Sequence, residues 1–249
     1  MAALAEGPSA ARVERVTFPA ADGTPVDAIH ATPEGGASTG VVLHPDILGV
    51  RSLFDDICRR LATHGYAVCA PEPFAHAPDD VRGAGEHPAA AGVRMQYVPQ
   101  LDDATQLDDL SRAGELLRET DGVERLCVLG FCMGGMQTLK AAATGDYARA
   151  VAFYGMIRLP PDWRSPTMRE ALDTAADVCP TLAIFGDNDS FTPAADIASL
   201  REAWRGRSDC EIVVYPGAEH GFVHAPERPS HRAEDAADAW RRALEFLDP

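Results

Sequence analysis

An apolar run, Leu126-Cys127-Val128-Leu129, stops at Gly130, and the chain continues Phe131-Cys132-Met133-Gly134-Gly135-Met136-Gln137 into a helix-compatible stretch ending near Ala143. Gly-x-Cys-x-Gly at a strand-to-helix junction constrains this chain more than any other feature. It reads as a turn so tight that a Cβ at either flanking glycine would meet neighbouring backbone, with Cys132 held in a strained conformation between them. A helix starting there aims its free N–H groups and positive dipole end at the thiol, favouring a thiolate and any oxyanion formed beside it. A buried cysteine in an ordinary glycine-rich turn has the same five letters, so the pentapeptide needs its structural context.

The context is a regular alternation. Residues 1–12 read as a mobile tail, and 13–249 as one domain. Residues 13–18 and 26–30, separated by Asp22-Gly23, have the pattern of a hairpin at a sheet edge. Gly40-Val41-Val42-Leu43 is a short unbroken apolar run, the mark of a buried parallel strand. Phe54, Ile57, Cys58 and Leu61 follow at helical spacing, and 66–70 is the next strand. Residues 71–88 hold four prolines and two histidines and read as a long ordered loop or lid. Leu107, Leu110, Gly114 and Leu117 mark a second amphipathic helix. Strands are expected at 125–129, 148–153, 181–185 and 211–215, with partly helical chain over 154–178. Thr192 as N-cap and Pro193 at the first helical position start a further helix, and 236–247 is the last. Alternating strands and helices predict an α/β fold with a mostly parallel, doubly wound sheet flanked by helices.

Charge and cysteine usage narrow the partners. A formal net charge of −16 with no basic stripe argues against nucleic acid and against an anionic membrane surface. The N-terminus lacks the basic and apolar regions of a signal peptide, and no apolar run approaches the ~20 residues of a membrane span. The six cysteines show no C-x-x-C and no zinc-like spacing, so a reducing, cytoplasmic setting without a metal site is expected. Five of them fall in apolar runs. Cys132 alone lies between glycines at a turn.

In a sheet of this kind ligands bind beyond the carboxyl ends of the strands. Three reactive groups fall at three such ends, in the order Cys132, an aspartate of Gly186-Asp187-Asn188-Asp189, and His220. Nucleophile, acid, histidine is the chain order of the α/β-hydrolase fold. Asp187 and Asp189 each also fit a turn carboxylate, and His220 a surface loop residue.

On these residues the chain resembles the dienelactone hydrolase (carboxymethylenebutenolidase) family, single-domain α/β hydrolases with a Cys-Asp-His triad. The resemblance runs over about residues 13–247. Its carriers are Gly130-Phe131-Cys132-Met133-Gly134-Gly135, Gly186-x-x-Asp189-x-x-x-Pro193, Glu219-His220-Gly221-Phe222, Asp46-Ile47-Leu48-Gly49-Val50 and Gly65-Tyr66-Ala67-Val68-Cys69-Ala70-Pro71. It selects Asp189 over Asp187 and implies a small-molecule ester or lactone substrate, no cofactor, and a monomer or homodimer. Backbone N–H groups of Ile47 and Met133 are the expected oxyanion hole. Asp46 stands where the family has a glutamate that holds the resting thiol neutral. His224 stands where the family has an arginine reading a substrate carboxylate, and Arg94 and Tyr97 are further candidate substrate contacts. An acyltransferase of the polyhydroxyalkanoate-synthase type shares Gly-x-Cys-x-Gly but has a longer chain. A non-catalytic binding or redox-sensing fold would have no use for Asp189 and His220.

Overall fold

The unbroken apolar runs form strands covered on both faces. In the computed structural model, which describes residues 3–247, eight strands make one sheet in the order β1-β2-β4-β3-β5-β6-β7-β8. β1 (Ala11–Pro19) and β2 (Pro25–Pro33) are the expected edge hairpin, and β2 also runs antiparallel to β4 (Ala67–Pro71). Every other pairing is parallel, through β3 (Thr39–His44), β5 (Arg125–Phe131), β6 (Arg149–Phe153), β7 (Thr181–Gly186) and β8 (Cys210–Tyr215). This is the architecture predicted from the alternation.

The side-chain period of two assigns each strand to two cores at once. Val41, Leu43, Cys127, Leu129 and Phe131 face one layer, packed under α1 (Ser52–Thr63) and α7 (Ala233–Leu247). Val42, Leu126 and Val128 face the other, against Leu110 and Leu117 of α4 (Asp103–Asp121), Leu139 of α5 (Met133–Ala141), and Ile197 and Leu200 of α6 (Ala194–Ala203). Phe54, Ile57, Cys58 and Leu61 of α1 are all fully buried, as their spacing implies. α4 has a complete pair of end signals. The Asp102 carboxylate accepts from the Thr105 N–H at 2.8 Å, and Gly122 at φ +69° closes the helix in the left-handed region.

Four expectations change. Residues 3–10 are docked rather than loose: Leu4 enters the core, Gly7 N–H donates to Thr63 Oγ1 at 2.7 Å, and Ser9 N–H to the Thr63 carbonyl at 3.0 Å. One buried leucine and bonds to the end of α1 suffice to fix the segment. Residues 1 and 2 of the expected tail lie outside the described residues. The proline-rich loop holds a single helical turn, α2 (Asp79–Arg82), and leads into α3 (Pro88–Tyr97), whose proline sits at the start of the helix, where its missing N–H costs nothing. Pro193 occupies the cap position of α6, one residue later than expected, and the buried Thr192 hydroxyl makes no capping bond. Residues 154–178 contribute only 3₁₀ turns.

Candidate active site

The turn after β5 brings Cys132 to the carboxyl edge of the sheet at φ +58°, ψ −121°, a left-handed conformation that a side chain adopts only under constraint. The glycines explain how the turn closes. A Cβ on Gly130 would stand 2.3 Å from the Gly134 carbonyl oxygen, and one on Gly134 2.2 Å from the His44 carbonyl oxygen. Cys132 N–H donates to the Phe153 carbonyl at 3.0 Å, which ties the elbow to the end of β6, and the thiol residue is left 9% exposed. α5 starts at Met133, so its first N–H groups point back at the sulfur.

Beyond β7 the two aspartates separate in role. Asp187 accepts from the Gly217 N–H at 2.5 Å and stitches the β7 and β8 exit loops together. Asp189 is buried, takes the Phe191 N–H on Oδ1 at 2.8 Å, and accepts from His220 Nδ1 on Oδ2 at 2.7 Å. That contact leaves His220 Nε2 as the free nitrogen. It is buried without a hydrogen bond among the described residues, and the Cys132 sulfur is near enough to interact with it, outside hydrogen-bonding geometry. Burial acts to lower the His220 pKa. The sulfur's charge and the Asp189 hydrogen bond together outweigh it, and the imidazole is pushed up to about 10. Phe191, 36% exposed, packs its ring 4.8 Å from the imidazole.

Four residues further on, His224 is fully buried and forms a second couple. Its Nε2–H donates to Asp46 Oδ2 at 2.8 Å, and Nδ1 meets the hydroxyl of Tyr154. An imidazole with its proton on Nε2 accepts at Nδ1, so the phenol is the donor there. Asp46 is saturated: Arg51 donates to Oδ1 at 2.6 Å and to Oδ2 at 2.9 Å, and the Leu48 N–H reaches Oδ1 at 2.9 Å. Asp46 is held well below the usual carboxylate range: burial acts against this, and bonds from His224 and Arg51 overcome it. Burial pushes His224 down. Tyr154, also at positive φ (+39°), sets its ring edge-on to His220 at 5.1 Å between centroids, and burial, Asp46 and Cys132 push its hydroxyl pKa far up.

The structure therefore brings Cys132, Asp189 and His220 to one edge, with the start of α5 close against the His44 and Pro45 carbonyls, the latter two residues before Ile47. It sends four other sequence candidates elsewhere. Asp46 and His224 bond to each other. Arg94, 4% exposed, turns its guanidinium onto main-chain carbonyls, and Tyr97 packs half-buried against the core. Arg51, Tyr154 and Glu72 were not singled out from sequence. Only Tyr154 carried a signal, a tyrosine at the carboxyl end of the strand next to the nucleophile's. Among the described residues no three His, Cys, Asp or Glu side chains are grouped to hold a metal ion, and no helix is long and apolar enough to cross a membrane.

With this geometry in hand, comparison with known proteins converges. The model of the dienelactone hydrolase family matches residues 26–249. A protein of Methylorubrum extorquens provisionally named carboxymethylenebutenolidase is 36% identical over 93% of this chain and 79% of its own. A carboxymethylenebutenolidase of Rhodococcus opacus is 28% identical over 90% of this chain and 86% of its own. The crystal structure of a provisionally named dienelactone hydrolase from Klebsiella pneumoniae superposes with a TM-score of 0.85 at 31% identity, covering 96% of this chain and 98% of that one.

Proposed function

The chain is a carboxylic ester hydrolase of the dienelactone hydrolase family, and from that premise we propose that it cleaves an activated ester or enol lactone through Cys132, His220 and Asp189 by way of a thioester. The observation that carries this reading is the His220–Asp189 contact of 2.7 Å, which fixes the imidazole with Nε2 free on the side of the strained Cys132.

The steps follow from which atoms are free. His220 Nε2 takes the thiol proton, and the sulfur bonds to the carbonyl carbon. The carbonyl oxygen becomes an oxyanion, for which the N–H groups of Ile47 and Met133 are the nearest unused donors by position. As the tetrahedral adduct collapses, the C–O bond breaks and the leaving oxygen takes the proton from His220. Water, deprotonated by the same nitrogen, then cleaves the thioester and restores the thiol. Thiolate is itself a good leaving group from the adduct, so an enolate or aryloxide leaving group suits this centre and an amine does not. Asp189 keeps the proton on Nδ1 and stabilises the imidazolium.

Cys132→Ala is expected to abolish turnover of an aryl ester, while Cys127→Ala, inside β5, costs stability through a small cavity and leaves turnover intact. One equivalent of iodoacetamide should map to Cys132 before the five other thiols. Turnover surviving in the Cys132→Ala variant would end this reading.

A further inference from the structure

The oxyanion loop, residues 46–50, is pinned peptide by peptide. Leu48 N–H donates to Asp46 Oδ1 at 2.9 Å and Gly49 N–H to the Asp46 carbonyl at 2.9 Å. Val50 N–H donates to Glu72 Oε2 at 2.8 Å, and Arg51 Nη1 reaches the Gly49 carbonyl at 3.2 Å. The Leu48 carbonyl is held by Arg94, which comes from α3, 46 residues away. The same buried guanidinium donates to the Arg82 carbonyl at 3.1 Å, makes longer contacts to those of Val81 (3.4 Å) and Gly85 (3.5 Å), and lies 5.3 Å over the Phe74 ring. One side chain thus joins three segments: the oxyanion loop, the α2 turn that follows the β4 exit, and α3.

No carboxylate forms an ion pair with Arg94 among the described residues. Its donors are spent on carbonyls whose positions they fix. The Ile47 N–H, inside the pinned loop, has no hydrogen-bond partner among the described residues. A loop whose neighbouring peptides are fixed while one N–H is left open is a preorganised donor, and such a donor loses its effect when it can swing. Along its outer side runs a cavity of about 570 Å³ lined by Leu48, Val50, Glu72, Arg82, Gly85 and Arg94, so little besides Arg94 and Glu72 holds the loop from that direction.

We propose that Arg94 is a positioning residue for the oxyanion hole: through the Leu48 carbonyl it locks Ile47, and it couples that loop to the α2–α3 segment. This rests on the thioester reading above. It differs from a role in reading substrate charge, because Arg94 then acts equally on neutral and anionic substrates.

The test compares two reactions of one sulfur. Ester hydrolysis builds an oxyanion and needs the hole. Alkylation by iodoacetamide displaces iodide at a saturated carbon and does not. Arg94→Met keeps the apolar stem and removes the donors. It is expected to lower kcat for a neutral aryl ester and for a carboxylate-bearing ester alike, by about tenfold to a hundredfold, with KM and the alkylation rate within about twofold of wild type. Arg94→Lys, which retains one donor to the Leu48 carbonyl, should recover part of the loss. Three results would overturn the proposal: an unchanged kcat in Arg94→Met, a rise in KM confined to the anionic ester, or alkylation and melting temperature falling in step with turnover. Loss of wild-type turnover on alkylation of Cys132 checks the thioester reading separately, so the two can fail independently.

Discussion

Two histidines on one exit loop make nearly the same contact with a carboxylate, His220 with Asp189 at 2.7 Å and His224 with Asp46 at 2.8 Å, and are driven in opposite directions. Burial depresses both. At His220 the nearby Cys132 sulfur and Asp189 overcome it. Among the described residues Asp189 has no Arg or Lys partner, and both its hydrogen bond and its charge favour the imidazolium. At His224 the Asp46 charge is already met by Arg51, whose own positive charge adds to the penalty, and burial prevails. A histidine–aspartate contact therefore does not define a proton shuttle by itself. What matters is whether a third charge has neutralised the carboxylate and whether the second nitrogen is free.

The largest effect expected from this contrast is in turnover. His220→Gln removes the imidazole whose open nitrogen lies on the side of Cys132 and should reduce kcat on the order of 10⁶-fold, as loss of the histidine does in a serine triad. His224→Gln removes a group bonded at both ends and should leave kcat within about tenfold while lowering the melting temperature. Steady-state kinetics on an aryl ester with both variants would break the comparison if the two losses were alike.

How much of this was legible beforehand follows from the range of the interactions. The elbow is local: its glycines, its apolar strand and the helix after it are adjacent in the chain, so Cys132 could be found from sequence. The sheet followed from periodicity, and β1 and β2 from a turn signal between them. The choice of Asp189 over Asp187 came from the family resemblance, and only the loop bonds show why, since Asp187 is spent on Gly217. Asp46 and His224 were placed at the site by their motif positions, and Arg94 only by lying in the loop nearby. What they bond to is set in three dimensions: Asp46 and His224 meet across 178 residues, His224 and Tyr154 across 70, and Arg94 and the Leu48 carbonyl across 46, which no local pattern encodes. Leu4 shows the same limit: one leucine in the short stretch Met1-Ala2-Ala3-Leu4-Ala5 gives no period to read.

The second effect is on stability and concerns the charge balance of the inner couple. Asp46→Asn leaves Arg51 and His224 without the carboxylate they share. Breaking a buried pair by removing one partner costs about 3–5 kcal/mol, which in a chain of this size is a fall in melting temperature of roughly 6–20 °C. The double variant Asp46→Asn, Arg51→Met, which removes the stranded charge as well, should recover a good part of that loss. Thermal melts of both would sharpen the comparison, and a single variant as stable as wild type would show that Arg51 finds another partner.

The smallest effect is the pH dependence of stability, where the two histidines should act in different windows. His220 has its folded pKa raised, to about 10, so the folded protein binds its proton more tightly than the unfolded chain does. The stability it contributes is complete below the unfolded value near ~6.5 and is lost as pH rises toward 10. His224 has its folded pKa lowered by burial, so the unfolded chain takes the proton first. Its contribution is complete above ~6.5 and drains away as pH falls. His44, also pushed down by burial, acts in that acid window. Asp109, pushed up to about 6 by burial, works against both there, because its protonation favours the folded state. The slope of wild type alone is therefore mixed, and the informative quantity is its difference from a variant in the same buffers. His224→Gln should flatten the decline in melting temperature between pH 6.5 and 5 without changing it between 8 and 10, and His220→Gln should do the reverse. If His224→Gln melts with the acid slope of wild type, the inner histidine is not held neutral by its surroundings, and the contrast between the two couples fails at its electrostatic root.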